Sequence, residues 1–336
     1  MKNLVIGQSG GPTAVINASL CGAVQAWKEA GQEGRVYGML NGIEGFLADR
    51  VTDLTALTEE ELKLLRLTPA AYLGSCRFKL PEDLTDAVYS AVFDNLREMN
   101  IGYFLYVGGN DSMDTVDKLS RFAARTGSDV RFIGIPKTID NDLFGTDHCP
   151  GFASAAKYIA TSVMEVARDS RVYNIGQITV IECMGRHAGW LTAAASLPNT
   201  KEPCCDFIYL PEVDFDMDKF IADVSECYKK NGNCIVAVSE GIHYADGRFV
   251  SEAKTAATDG FGHAQLGGLA ALLANILKEK TGAKVRGIEL SLLQRCAAHC
   301  ASQTDIDEAY LSGKTAVEEM LKGTTDKMVG FACDRT

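Results

Sequence analysis

Short apolar runs alternate with longer amphipathic stretches along this chain, and this alternation constrains the fold more than any other feature. The apolar runs are LVIG, FLYVGG, RFIGIP, QITVIECMG, DFIYLP, CIVAVSEGI and KVRGIELSLLQR. The amphipathic stretches are Ala14 to Ala30, Ser112 to Arg125, Phe152 to Val172, His187 to Ser196, Phe215 to Lys230 and Gly262 to Lys280. Such alternation of strands and helices predicts parallel sheets covered by helices, so we place the chain in the α/β class.

The length of 336 residues predicts two domains. No low-complexity linker and no internal repeat marks the border between them. We therefore place a soft boundary near residue 140, with residues 1–140 in one domain, residues 141–336 in the other, and room for the chain to cross between them. The final run MVGFACDRT predicts a strand with no element after it, which leaves open whether closing elements lie outside this chain.

The formal net charge is −11, so a polyanion would be repelled and nucleic acid is not an expected partner. An anionic substrate would need a locally basic pocket. No signal-peptide core or span-length apolar stretch occurs, which predicts a cytoplasmic protein without membrane contact.

The 11 cysteines are odd in number, lack a CxxC pair and lie mostly inside apolar runs. This pattern favours buried thiols in a reducing compartment over disulfides. Cys296 and Cys300 lie at helical spacing with His299 between them, which leaves a metal or redox cluster as the alternative at that point.

Two glycine-rich turns, Gly7–Thr13 and Gly108–Ser112, each follow a predicted strand and precede a predicted helix. Anions bind at this position in open α/β sheets, although a tight turn alone would need the same glycines. Ser9 breaks the dinucleotide fingerprint GxGxxG, which disfavours a dehydrogenase. The triplet Gly313–Thr315 lacks the first glycine of a Walker A loop, because Glu308 stands in its place.

A third turn, Pro136–Asp142, carries two carboxylates, an amide, a hydroxyl and a lysine. Phosphoryl transfer to a sugar hydroxyl needs a base, cations and usually Mg²⁺, so Asp140 or Asp142 could be that base. The alternative is a capping turn before a surface loop. Arginines near the ends of apolar runs favour a phosphate pocket. They are Arg77, Arg186, Arg286 and Arg295.

These segments together resemble the phosphofructokinase family. The motif GGxxxxxN from Gly10 to Asn17 is followed in the family's order by GSCRF, GGNDS, PKTIDND, MGRHAG, SEG and LLQR. The resemblance covers nearly the whole chain. It implies two Rossmann-like parallel-sheet domains with the active site in the cleft between them, and a homodimer or homotetramer.

The resemblance also implies roles for particular residues. Asp140 corresponds to the base that deprotonates the 1-hydroxyl of fructose 6-phosphate, and the other members of the catalytic set are Lys137, Asp111 and Arg77. The implied sugar-phosphate residues are Thr138, Asp142, Met184, Gly185, Arg186, Glu240, Arg286 and Arg295. The implied residues for the donor phosphate are Gly11, Gly108, Gly109 and Ser112. Mg²⁺ is the implied cofactor, and Asn110 stands where ATP-dependent relatives carry a metal-associated aspartate.

Asp111 indicates the phosphoryl donor, because ATP-using relatives have glycine at this position, beside the α-phosphate. A carboxylate about 4 Å from that phosphate would cost about 4 kcal/mol at an effective dielectric constant of about 20, roughly a thousandfold against ATP. Lys137 would supply a cation that compensates the negative charge of Asp111. We therefore predict phosphorylation of fructose 6-phosphate by pyrophosphate, a reversible step of glycolysis. The alternatives are an ATP-dependent 6-phosphofructokinase and a non-catalytic phosphosugar-binding regulator.

Four further positions depart from the ATP-dependent bacterial members. Gln177 replaces an arginine that reaches in from a neighbouring subunit, and Leu292 replaces a histidine. These replacements predict that the 6-phosphate is bound differently, and they leave sedoheptulose 7-phosphate as another substrate. Cys21 and Gln25 replace two arginines that contact effector phosphates. We therefore predict no regulation by ADP or phosphoenolpyruvate.

Overall fold

The structure is a computed structural model that describes residues 1–172, 174–200, 202–251 and 268–333. Its strands are, in chain order, β1 (Asn3–Gln8), β2 (Val36–Met39), β3 (Val51–Asp53), β4 (Ile101–Gly108), β5 (Arg131–Pro136), β6 (Gln177–Cys183), β7 (Phe207–Tyr209), β8 (Cys234–Ser239), β9 (Lys284–Glu289) and β10 (Lys327–Met328). Its α-helices are α1 (Ile16–Glu29), α2 (Gly42–Leu47), α3 (Glu59–Arg66), α4 (Ala87–Glu98), α5 (Asn110–Thr126), α6 (Phe152–Ser170), α7 (Trp190–Ala193), α8 (Met217–Asn231), α9 (Leu269–Thr281), α10 (Leu293–Cys296) and α11 (Gln303–Leu321). Short 3₁₀ helices cover Ala194–Thr200 and Ala298–Cys300.

The chain divides into two compact units. The first contains Met1–Ser154 and Ala301–Thr336, and the second contains Ala155–Cys300. The border thus lies between Ser154 and Ala155 instead of near residue 140, and the chain returns to the first unit after Cys300. The sequence had left room for such a crossing without locating it.

The first unit is built on a six-stranded sheet of order β10-β5-β4-β1-β2-β3. All pairs are parallel except the antiparallel pair of β2 and β3. The central strand β1 is buried from Leu4 to Gln8 because helices cover both faces of the sheet. The register aligns Gln8 with Val107 and Gly108 with Pro136. The loops after β1, β4 and β5 therefore leave the sheet at one edge.

Helix α11 joins the first unit through a close crossing with α1. A Cβ atom on Gly22 would lie 1.9 Å from the carbonyl oxygen of Tyr310, and one on Gly313 would lie 1.9 Å from that of Ser19. Only glycine permits the two backbones to approach in this way. The triplet Gly313–Thr315, weighed above as a phosphate loop, is therefore part of a helix interface.

The second unit contains a parallel sheet of order β7-β8-β6-β9. Its central strand β6 is buried along its whole length, and an apolar cluster packs beside it between α8 and α9. The register aligns Cys183 with Ser239 and Glu182 with Glu289. The segments after β6, β8 and β9 therefore also share one edge.

The C-terminal run MVGFACDRT, predicted as a strand, contributes only Met328 to β10, which pairs with β5. Residues 334–336 of that run lie outside the described residues, as do residues 262–267 of the predicted helix Gly262 to Lys280. Within the described ranges, no helix has both the length and the apolar character needed to cross a bilayer.

Candidate active site

Lys137 connects the three loops at the sheet edge of the first unit. Its backbone N–H donates to the carbonyl of Gly108 at 3.0 Å, and its Nζ donates to the carbonyl of Gly11 at 2.5 Å. Lys137 is 4% exposed, so its ammonium group lies within the protein and not in bulk water. Lys137 thereby brings the loops that follow β1, β4 and β5 to one place.

The segment that carries Arg77 is hydrogen-bonded to the first of these loops. Gly10 donates its N–H to the carbonyl of Cys76 at 3.1 Å, and Ser75 donates its hydroxyl to the carbonyl of Gly10 at 2.6 Å. Gly10 has a φ of 75°, a conformation that favours glycine. These bonds bring the GSCRF motif against the GGxxxxxN motif, although more than 60 residues separate Gly10 from Ser75 in sequence.

A buried amide pair lies under this contact. Gln8 donates from Nε2 to Oδ1 of Asn17 at 3.0 Å and accepts the N–H of Leu73 at 3.0 Å. Asn17 in turn donates to the carbonyl of Ala70 at 2.7 Å. Both side chains are 0% exposed, so each bond satisfies a polar group that would be costly to leave unpaired. Gln8 was not among the predicted site residues, and its position directly before the glycine turn was the signal available.

The turn after β5 is held by its own polar side chains. Thr138 accepts the N–H of Asp140 at 3.1 Å and donates to Oδ1 of Asp142 at 3.3 Å. Asn141 has a φ of 56° and accepts the N–H of Cys149 at 2.8 Å. Asp142 also accepts Nδ2 of Asn110 at 2.9 Å, so both of its oxygens receive hydrogen bonds. The two carboxylates of the turn also differ in exposure, since Asp142 is exposed and Asp140 is only partly exposed.

Helix α5 starts directly at the second glycine turn. A Cβ atom on Gly108 would lie 1.9 Å from Oγ of the buried Ser112, so a side chain at this position would displace the turn. Gly109 is the N-cap residue and offers no side-chain cap. The first turn of α5 contains Asp111, whose carboxylate interacts favourably with the positive end of the helix dipole.

The second unit groups four of the eight predicted sugar-phosphate residues after β6 and β8. Gly185 donates its N–H to Oε1 of Glu240 at 3.3 Å, and its carbonyl accepts the hydroxyl of Ser239 at 2.6 Å. Met184 donates its N–H to Oε1 of the buried Gln294 at 3.1 Å. A Cβ atom on Gly241 would lie 1.9 Å from the carbonyl oxygen of Arg186. Gln294, inside the LLQR motif beside Arg295, was not predicted to hold this segment.

Arg286 lies apart from the predicted sugar-phosphate residues that follow β6 and β8. It pairs in register with Thr179, and its Nε donates to Oε1 of Gln177 at 3.4 Å. Thr179 is four residues from the end of β6, which corresponds to about 13 Å along the strand. Arg286, an implied sugar-phosphate residue, thus contacts Gln177, a position at which this sequence departs from the ATP-dependent members.

Buried Glu182 lies next to the residues after β6. Its Oε2 accepts the N–H of Ala270 at 2.8 Å, at the N-terminus of α9. Burial raises the pKa of Glu182 to about 7, the N–H of Ala270 opposes this shift, and the charges of Glu289 and Glu240 add to it. Near neutral pH, this carboxyl group is therefore only partly ionised.

The cysteine cluster considered at Cys296, His299 and Cys300 does not converge. Cys296 is exposed, and Cys300 contacts Oγ1 of Thr161 at 3.9 Å. The cysteines are free, and most of them are buried, as the apolar setting of their sequence positions predicted.

Comparisons with known proteins identify the family of the chain. The family model described as Phosphofructokinase matches residues 3–319. The pyrophosphate–fructose 6-phosphate 1-phosphotransferase of Halomonas elongata is 44% identical over 97% of this chain and 78% of its own length. The protein of that name from Methylococcus capsulatus is also 44% identical, over 97% of this chain and 79% of its own length. The crystal structure of pyrophosphate-dependent phosphofructokinase from Marinobacter aquaeolei is 39% identical and superimposes with a TM-score of 0.87 over 100% of this chain and 80% of that one. The chain therefore belongs to the phosphofructokinase family.

Proposed function

We propose that this chain transfers a phosphoryl group from pyrophosphate to the 1-hydroxyl of fructose 6-phosphate, in a reversible step of glycolysis. The observation that carries the proposal is the position of Lys137, which contacts Gly11 and Gly108 and so brings together the turns assigned to the donor phosphates. The names of the relatives that are 44% identical support both the donor and the sugar.

The donor selectivity rests on Asp111. The N-terminus of α5 is a favourable place for an anion, and in this chain a carboxylate already lies in its first turn. The α-phosphate of ATP would meet both the charge and the volume of Asp111. Pyrophosphate has no third phosphate to place there, so it avoids the repulsion.

We assign the base to Asp140. Both oxygens of Asp142 accept hydrogen bonds, one from Thr138 and one from Asn110, so Asp142 stabilises the turn. Asp140, on the same turn, would accept the proton of the sugar hydroxyl as the oxygen attacks phosphorus. Arg77 and Lys137 would offset the negative charge of the transferring group, and the residues assigned to the donor phosphate, Gly11, Gly108, Gly109 and Ser112, would bind the donor oxygens.

Mg²⁺ fits the donor set of the first unit. Asp142 and Asn110 would supply oxygen atoms, which a hard cation prefers, and each oxygen of Asp142 keeps a lone pair beside its hydrogen bond. Two such ligands match the usual Mg²⁺ site, in which substrate phosphates and water complete the shell. The chemistry that Mg²⁺ would supply is neutralisation of the charge on the phosphate oxygens. Asn110 is the residue that differs from the metal-associated aspartate of ATP-dependent relatives.

The sugar phosphate would be bound mainly by residues of the second unit, and the donor by the first. The residues assigned to the sugar are Thr138, Asp142, Met184, Gly185, Arg186, Glu240, Arg286 and Arg295. Because Arg286 lies with Gln177 instead of beside Met184, we infer that a second copy of the chain is needed to complete the site, which supports a homodimer or homotetramer. Sedoheptulose 7-phosphate remains another candidate substrate.

The protein would act in the cytoplasm without ADP or phosphoenolpyruvate control. Cys21 is buried, and its thiol donates to the carbonyl of Leu62, while Gln25 donates to Glu29. This part of α1 therefore presents no arginine for an effector phosphate.

Parallel assays with Mg²⁺-pyrophosphate and Mg²⁺-ATP, each with fructose 6-phosphate, test the proposal directly. We expect turnover with pyrophosphate and a kcat/KM for ATP lower by about a thousandfold. A preference for ATP would establish the ATP-dependent alternative. Binding of fructose 6-phosphate without turnover from either donor would establish the regulator.

A further inference from the structure

A thiol pair and a carboxylate converge in the second unit, in a place that the proposed reaction does not use. The ligand atoms of Asp206, Cys227 and Cys234 all lie within 4.8 Å of one another. Cys234 is buried, Cys227 is partly buried and Asp206 is exposed. The group therefore has an apolar interior side and an open side through which an ion could enter.

The three side chains come from three neighbouring elements. Asp206 directly precedes β7, Cys227 lies near the C-terminal end of α8, and Cys234 is the first residue of β8. In a tetrahedral zinc site with Zn–S distances of about 2.3 Å, neighbouring sulfur ligands lie about 3.8 Å apart. Small side-chain rotations would bring a spacing within 4.8 Å to that value.

The backbone around the group is well fixed. Asp206 and Ile235 exchange two hydrogen bonds, because Asp206 donates its N–H to the carbonyl of Ile235 at 2.8 Å and accepts the N–H of Ile235 on Oδ2 at 2.8 Å. The turn from α8 to β8 passes through Gly232, which has a φ of 74°. A site supported by such hydrogen bonds needs little reorganisation to bind an ion.

The thiol of Cys227 makes only long polar contacts with the asparagines beside it. Cys227 accepts Nδ2 of Asn231 at 3.4 Å and lies 3.8 Å from the carbonyl oxygen of Asn233. The neighbouring thiol of Cys205 differs, because it donates to the carbonyl of Phe207 at 3.2 Å and stays outside the group. Burial raises the pKa of both Cys227 and Cys234, so metal binding would have to displace their protons.

We propose that Asp206, Cys227 and Cys234 form a structural site for a zinc-like divalent cation, with water as the fourth ligand. Two thiolates and one carboxylate suit a borderline-soft cation better than Mg²⁺. Glu240 follows the far end of β8, about 20 Å along the strand from Cys234. The ion would therefore join α8, β7 and β8 without contacting the residues assigned to the sugar phosphate.

Cobalt titration of the whole protein, first reduced and then freed of reductant and metal under argon, tests this site. We expect sulfur-to-cobalt charge-transfer absorption that saturates at one ion per chain and is displaced by zinc. Cys227→Ser and Cys234→Ser should each abolish the absorption, and Asp206→Asn should weaken binding at least about tenfold. Zinc should also raise the Tm of the native protein and leave the Tm of Cys227→Ser unchanged.

Cys296→Ser is the matched control, because it removes an exposed thiol outside the group and should leave the titration unchanged. Absorption that persists in Cys227→Ser and Cys234→Ser, or is lost in Cys296→Ser, would overturn the proposal. So would a Cys227–Cys234 disulfide in the protein as isolated. These readouts do not depend on turnover, so they are independent of the proposed phosphotransferase activity.

Discussion

Asn110, the first residue of α5, donates from Nδ2 to Oδ2 of Asp142 at 2.9 Å. This bond joins the turn assigned to the donor phosphates to the turn that carries the proposed base. An amide at position 110 can donate to a carboxylate, whereas an aspartate would repel it. The asparagine that distinguishes this chain from ATP-dependent relatives thus makes a hydrogen bond that an aspartate could not make.

Replacing Asn110 with aspartate should therefore raise the pH at which the enzyme becomes active. The new carboxylate would face Asp142 at hydrogen-bonding distance, and two like charges at that spacing favour retention of a proton. We expect the acidic limb of the kcat/KM profile to move to higher pH by at least about one unit. Asn110→Ala removes the bond without adding charge, and an equal shift in that variant would contradict the explanation.

Asp140→Asn should remove turnover while fructose 6-phosphate still binds. The amide has nearly the same shape but cannot accept the hydroxyl proton, so we expect kcat to fall by about 10² to 10⁴. Rate measurements should be paired with calorimetric binding of the sugar phosphate. A decrease of less than about tenfold would remove Asp140 from the role of base, and a large loss of Tm would instead indicate a structural role.

Asp111→Gly should move the donor preference towards ATP. Removing the carboxylate relieves repulsion of about 4 kcal/mol at the α-phosphate, so the ratio of kcat/KM for ATP to that for pyrophosphate should rise by up to roughly a thousandfold. Pyrophosphate use should fall, because the variant lacks the carboxylate that we expect to partner Lys137. Asp111→Asn keeps the volume and removes the charge, which separates repulsion from steric exclusion. An unchanged donor ratio in both variants would show that Asp111 does not select the donor.

Lys118→Met should weaken pyrophosphate binding through the segment that carries Arg77. The side chain of Lys118 is 1% exposed, and its Nζ donates to the carbonyl of Leu80 at 3.0 Å and to Glu82 and Asp114 at 2.7 Å each. We expect a several-fold higher KM for pyrophosphate and a loss of about 1–2 kcal/mol of stability. Lys118→Arg preserves the charge and should retain most of the affinity. An unchanged KM with a lowered Tm would restrict Lys118 to stability.

Glu182→Gln should change how stability depends on pH. The pKa of Glu182 is raised by burial from 4.5 to about 7, so the folded protein holds a proton that the unfolded chain releases. As the pH rises from about 4.5 to about 7, the free energy of unfolding of the native protein should fall by at most about 3 kcal/mol more than that of the variant. Denaturant titrations of both proteins across this range measure the difference, and parallel curves would contradict it.

The sequence predicted the elements whose signals are local. The predicted helix Ala14 to Ala30 is α1, Ser112 to Arg125 lies within α5, and Phe215 to Lys230 largely coincides with α8. The stretch His187 to Ser196 became only the short α7 followed by a 3₁₀ helix through Thr200. Pro198 lies inside the 3₁₀ segment, and because proline has no N–H to donate and disfavours helical geometry in the residue before it, an α-helix cannot continue regularly through this position.

Contacts between distant parts of the chain could not be predicted in this way. The amphipathic pattern of α11 does not reveal that Gly313 packs on Ser19, because that contact depends on the shape of both helices. The motifs similarly identified Arg286 without showing that it bonds to Gln177 on the neighbouring strand. Lys118 and Gln294 support predicted residues from buried positions, and no motif chemistry distinguishes them in sequence.

The crossing of α1 and α11 sets an order in which the chain can be built by the ribosome. The unit Ala155–Cys300 is continuous in sequence and can acquire its own contacts as soon as it emerges. The first unit must hold its amino-terminal part incomplete until α11 arrives, because Gly22 has no partner before Tyr310 is made. During that interval the apolar surface of α1 that α11 covers in the folded chain stays exposed, and exposed apolar surface of this kind favours aggregation.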